Sequence, residues 1–187
     1  MDALVALLKT DANAANAFGA LASAAAAVLA LFVSCVSVWI SISSARSQRR
    51  HNELSVRPLA EVTVADYEDS LRVKLRNNGS GPMIVLAVTV SDGANARESL
   101  IEWMPALPQG RPWNTFTHAL RNRTLQADAE IILLELTEHE NEANFAACRD
   151  RVRAALAPLT VNVEYTDIYG TVMRPCRKPL SWFARNL

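Results

Sequence analysis

The sequence predicts one membrane-spanning helix followed by a small, mainly-β domain with one inserted helix. Three observations carry that prediction. No Asp, Glu, Lys, Arg or His occurs between Asp11 and Arg46. From Leu59 onward the apolar residues recur at every second position, the period of a strand with one wet face. Clusters of Gly, Asn, Asp and Pro then break the chain at short intervals, as turns do.

The uncharged stretch from Ala17 to Ile42 is 26 residues long. At about 1.5 Å per residue it reaches roughly 39 Å as an α-helix, more than the hydrocarbon thickness of a bilayer, about 30 Å. A pair of buried core helices needs a break, and Gly19 is the one candidate. Ala3 to Leu8 is a short apolar run before Lys9, and Asn13 and Asn16 mark the expected N-terminal boundary. A cleaved signal peptide begins with positive charge and has an apolar stretch of about 7–15 residues. Here two acids and one lysine come first, and the apolar stretch is about twice as long, so the helix is expected to be retained. Arg46, Arg49 and Arg50 follow it, which places the C-terminal side in the cytoplasm and the short N-terminus outside. The same arginines are candidates for contact with anionic lipid headgroups. Trp39 suits the interfacial belt. The expected organisation is a segment 1–16, a helix 17–45, a basic linker 46–58 in which helix stops by Arg57 ahead of Pro58, and a domain 59–187.

Along the helix, small residues recur at alternating three- and four-residue steps, and Ser34, Ser37 and Ser41 lie among bulky neighbours. That spacing makes one narrow face on which a second helix can pack closely. The expected membrane partner is a second copy or another membrane protein. The competing reading is that each hydroxyl bonds the carbonyl four residues back.

In the domain, Ala60, Val62 and Val64 face one way, with Glu61 and Thr63 opposite. Leu71, Val73 and Leu75 alternate with Arg72, Lys74 and Arg76, and DYED (66–69) supplies the turn between these strands. Asn77 to Pro82 (NNGSGP) is a second turn, and Met83 to Val90 is apolar on both faces, which places it centrally. Residues 94–128 are less regular: RESLIEWMPAL suits a helical turn or an edge strand, PQGRP a loop, and Thr115 to Leu120 a strand. Ile131 to Leu136 reads as a strand. A helix is expected from an Asn141 cap to Pro158, with Phe145, Cys148, Val152 and Ala155 buried and Arg149 and Arg153 on a solvated face. Val161, Val163 and Tyr165 alternate again, Asp167 to Gly170 turns the chain, and PLSWFARNL ends it. Six or seven such strands predict an antiparallel, immunoglobulin-like β-sandwich with one inserted helix.

Composition narrows the chemistry. Residues 51–187 hold 15 basic and 17 acidic side chains, without the basic excess that phosphate backbones select, so nucleic acid is excluded as a partner. Cys35, Cys148 and Cys176 form no CxxC pair, and free thiols are expected in a reducing compartment. His139 with Glu138, Glu140 and Glu142 is a weak metal candidate, since acids before a helix are expected from the dipole alone. Asp167 with Tyr165 and Tyr169 reads as a turn with packing tyrosines before it reads as a ligand site. Arg177, Lys178 and Arg185 with Trp182 and Phe183 suit either a docking surface or a basic edge strand. No nucleophile elbow, phosphate loop, zinc helix or dinucleotide fingerprint is present. No catalytic residue, cofactor site or metal site is expected.

Ser55-Val56-Arg57-Pro58, Asn77-Asn78-Gly79-Ser80-Gly81-Pro82 and Tyr165-Thr166-Asp167-Ile168-Tyr169-Gly170 follow a single span in this order. The chain thereby resembles small bacterial single-span membrane proteins of uncharacterised function with a C-terminal sandwich domain. The resemblance implies a membrane-anchored sandwich, at the inner membrane, and implies no activity. Two functions are expected on these grounds. The first is a non-enzymatic interaction module or scaffold that holds an unknown protein partner through a sheet face or edge. The second is a small-molecule sensor or regulatory subunit signalling through the helix. A hydrolase with an unrecognised site is the third class.

Overall fold

The computed structural model describes residues 2–108, 111–139, 142 and 144–186, with side chains described at 12, 13 and from 16 onward apart from 186. Contacts divide the chain into two units, residues 1–52 and 53–187.

The first unit is helix. α1, Asp2–Ser55, runs for 54 residues without interruption, and Gly19 does not break it. The expected boundary at Asn13 and Asn16 is passed in helix as well. None of the stretch from Asn16 is buried, and Phe18, Phe32 and Trp39 are exposed along it. α1 is long and apolar enough to cross a membrane. The basic run Arg46 to Arg50 is helical too. The last turn ends at Ser55, short of Arg57, because a proline disfavours helix at the residue before it.

The second unit is built on two antiparallel sheets. β1 (Ala60–Asp66), β2 (Ser70–Asn77), β7 (Glu130–Thr137) and β5 (Thr115–Phe116) form one, in the order β1-β2-β7-β5. β3 (Met83–Ser91), β4 (Ala96–Arg97), β8 (Thr160–Thr166) and β9 (Cys176–Pro179) form the other, in the order β4-β3-β8-β9, and β6 (Thr124–Leu125) also pairs with β3. β3 is central, as its double apolar face predicts. Leu71, Val73 and Leu75 are buried, as are Val161, Val163 and Tyr165. On the outer face of β2 the basic side chains meet acids: Arg72 pairs with Glu135, Lys74 with Glu130 at 2.6 Å, and Arg76 with Asp128 at 3.5 Å. Both sheets, α2 (Phe145–Leu156) and a short 3-10 helix, Ser181–Asn186, contribute to one hydrophobic cluster, to which Phe183 and Leu180 are fully committed.

Several expectations are corrected. Arg153 is not on a solvated face: it is buried, and Arg149 is half-buried. At 100° per residue, Arg149 and Arg153 fall only about 40° and 80° from Phe145, on the flank of the buried stripe. Leu156 completes that stripe, and Ala155 is half-buried. α2 begins at Phe145, after Asn144, whose side chain makes no cap bond, while Asn141 lies outside the described residues. Thr115 to Leu120 yields only the two-residue β5, and β6 answers to no expected strand. The edge strand near the end is β9, and the following aromatic stretch is 3-10 helix with Phe183 turned inward.

Candidate functional site

A cleft of about 570 Å3 opens in the second unit. Four stretches far apart in sequence build it: Arg57 to Ala60 at the start of β1, Gly79 and Ser80 in the β2–β3 turn, Tyr165 in β8, and Met173 to Cys176 leading into β9. Their local chemistry explains the assembly. Gly79 and Gly81 pass so close beneath residues 56–59 that a Cβ on either overlaps that backbone, so the turn requires glycine at both positions. Ser80 Oγ donates to the Ser55 carbonyl at 2.6 Å, tying the turn to the last residue of α1.

Asn77 fixes the arrangement from behind. It is fully buried, and its Oδ1 accepts from the N–H groups of Leu59 (3.1 Å) and Gly79 (3.0 Å). Its Nδ2 donates to the carbonyls of Gly81 (2.7 Å), Leu125 (3.2 Å) and Gln126 (3.1 Å), so two hydrogens serve three acceptors. In the turn that follows β8, outside the cleft lining, Asp167 Oδ1 accepts from the N–H groups of Tyr169 and Thr171, both at 2.8 Å, and Gly170 takes a positive φ. Asp167 is thus committed to the turn. Tyr165 and Met173 are buried and give the cleft an apolar floor.

The electrostatics are one-sided. Arg57 and Arg174 line the cleft and both are exposed, while no carboxylate lines it. Cys176, a free and half-buried thiol, completes the wall.

A family model described as a domain of unknown function, DUF8453, matches residues 18–182. The chain belongs to that family. No curated protein and no solved structure matches it. The family's matched region takes in most of α1 and every strand of the second unit, so the cleft lies wholly within it.

Elsewhere, the residues singled out from sequence are dispersed. The hydroxyls of Ser34, Ser37 and Ser41 each donate to the carbonyl four residues back, at 2.8 Å. Arg46, Arg49 and Arg50 are exposed on α1. His139, Glu138 and Glu142 are described, Glu140 lies outside the described residues, and no group of three metal-ligating side chains gathers among the described residues. Arg185 stacks on the Trp182 ring at 3.4 Å rather than standing free.

Two constellations were missed. Ser99 Oγ donates to Glu102 Oε1 at 2.6 Å and lies 3.3 Å from His118 Nδ1. The serine bridges the other two groups instead of passing its proton to the imidazole, and it is buried, so it is not an activated nucleophile. Its spacing, Ser-x-x-Glu, is the visible signal, and the pair sits at the entry to a 3-10 turn, Ile101–Trp103. The second is the buried pair Arg153–Asp66. Arg153 Nε lies 3.1 and 3.0 Å from the two Asp66 oxygens, Nη2 lies 2.7 Å from Oδ1, and Nη1 reaches Asp150 at 2.7 Å. Burial works against the Arg153 charge, but the hydrogen bonds and charge of Asp66, then those of Asp150, outweigh it and hold the guanidinium above its ordinary value.

Proposed function

We propose that this protein is a single-pass membrane anchor carrying a cytoplasmic, immunoglobulin-like sandwich that works as a non-enzymatic interaction module. The observation that carries the reading is α1, apolar and unburied over a length that spans a bilayer. The basic flank after the apolar stretch supports the cytoplasmic placement of the domain. The strand order supports the sandwich type. β1-β2-β7-β5 against β9-β8-β3-β4 runs as A-B-E-D against G-F-C-C′ of the immunoglobulin arrangement, with α2 in the E–F connection. The small face at Ser34, Ser37 and Ser41 is the proposed association surface of the helix. Because those hydroxyls are satisfied within their own helix, its attraction comes from close packing rather than cross-helix bonds.

Two experiments test this. A phosphatase active only outside the cytoplasm, fused after residue 187, should stay silent, and strong activity would reverse the topology. In a membrane two-hybrid assay, leucine at Ser34, Ser37 and Ser41 should weaken self-association, while leucine at Val33, Val36 and Ile40 should not. Equal effects of the two triples would remove the helix face from the reading.

One observation favours a second reading, a ligand sensor. Ser80 both lines the cleft and holds the terminal carbonyl of α1, so a ligand that moves the β2–β3 turn acts on the end of the helix through one hydrogen bond.

A further inference from the structure

We propose that the cleft takes a phosphate-bearing anion, held by Arg57 and Arg174; this deepens the sensor reading and rests on it. The cleft's volume, about 570 Å3, falls within the range of small-molecule sites, roughly 300–1,000 Å3. Its charge is entirely positive. Two guanidiniums line it, and no Asp or Glu competes for them. Neither Arg57 nor Arg174 engages a carboxylate among the described residues, whereas Arg72, Arg76, Arg111 and Arg153 are each paired. A guanidinium is a planar fork suited to phosphate oxygens, and two of them match a doubly charged group better than a single carboxylate. A divalent cation finds no carboxylate there and meets two like charges instead. The buried Tyr165 and Met173 beneath the arginines give the remainder of the ligand an apolar seat.

The same chemistry comes from a free phosphorylated metabolite or from a phosphomonoester lipid headgroup, and Cys176 separates the two. Its thiol lines the cleft and is free, so an occupied cleft should slow its alkylation by iodoacetamide, read by peptide mass spectrometry. The full chain is reconstituted in phosphatidylcholine nanodiscs and alkylated with inorganic phosphate or with sodium chloride of equal ionic strength. A second preparation contains phosphatidic acid in the discs and no added phosphate. Arg57→Gln and Arg174→Gln are run alongside, with slow alkylation of buried Cys148 as the check that each variant is folded. Protection by inorganic phosphate that weakens about tenfold in each variant supports the proposal with a soluble ligand. Protection confined to phosphatidic acid discs, and lost in the variants, supports it with a lipid headgroup. No protection in either preparation, or protection that survives both substitutions, overturns it. If phosphate binds and α1 self-association does not change, the sensor reading fails while the binding site stands.

Discussion

At the two ends of β1 the chain uses arginine for different purposes. Beyond Asp66, the last residue of β1, α2 sends Arg153 onto the Asp66 carboxylate and Arg149 onto the carbonyls of Tyr67 (2.9 Å) and Glu68 (2.5 Å). Helix and turn are clamped together, and both guanidiniums are spent on the fold. Before Ala60, the first residue of β1, Arg57 and Arg174 face a cleft with no acid in it. The strand separates the two settings by about 20 Å. Residue type does not decide the setting: a buried carboxylate holds Arg153 and backbone carbonyls hold Arg149, whereas Arg57 and Arg174 line a cleft without an acid.

The largest effect should come from removing that carboxylate. Asp66→Ala leaves buried Arg153 with only the exposed Asp150 opposite it and should cost about 3 kcal/mol in denaturant unfolding of the full chain. Replacing both partners with apolar residues, Asp66→Leu with Arg153→Met, should recover most of the loss. A cost below about 1 kcal/mol for Asp66→Ala would erase the contrast between the two ends.

Next is Gly81→Ala, which drives a Cβ into the Val56 carbonyl and should cost about 1–3 kcal/mol. Alkylation of Cys176 should change with it, because the β2–β3 turn frames the cleft. A variant as stable as the parent would mean that the turn is not pinned to residues 56–59.

A smaller effect is expected on the exposed ladder. Lys74→Ala should cost less than about 1 kcal/mol. Its signature is pH dependence. The hydrogen bond from Lys74, opposed by slight burial and helped by its charge, holds the Glu130 carboxyl below its ordinary value of 4.5. The pair's contribution is therefore complete above that value and is lost as pH falls through the lowered one. Lys74→Ala should remove that share of the acid loss, and an unchanged acid profile would count against the pair.

Least of all, Arg57→Gln and Arg174→Gln should leave stability within about 0.5 kcal/mol of the parent. A large loss in either would show that these arginines are structural after all, like their counterparts on α2.

The periodic parts of this architecture were legible in the sequence. Alternation at Leu71, Val73 and Leu75 and at Val161, Val163 and Tyr165 reports burial directly, because each strand shows one face to the core. The two-residue strands β4, β5 and β6 were not, since pairing that short is set by the neighbouring strand and leaves no period to read. Arg153 is not legible from charge alone: its angle of about 80° from Phe145 sets it on the flank of the buried stripe, where Asp66 pairs with it. The cleft was hidden for a different reason. Its walls come from residues 57, 79, 165 and 174; three of these lie in turns or connections whose local pattern announces only a change of direction, and the alternation at Tyr165 announces only burial.

Asn77 has a consequence for the order of folding. Its side chain joins Leu59, 18 residues before it, to Leu125 and Gln126, 48 and 49 residues after it. Those bonds cannot form until the chain has closed loops of that length, and loop closure is entropically costly before non-local contacts reward it. The start of β1, the β2–β3 turn and the approach to β7 are then secured in one late step. Substitution of Asn77 should consequently hasten unfolding far more than it slows folding, giving a φ-value near zero. The cleft would then be the last part of the domain to take shape and the first to be lost.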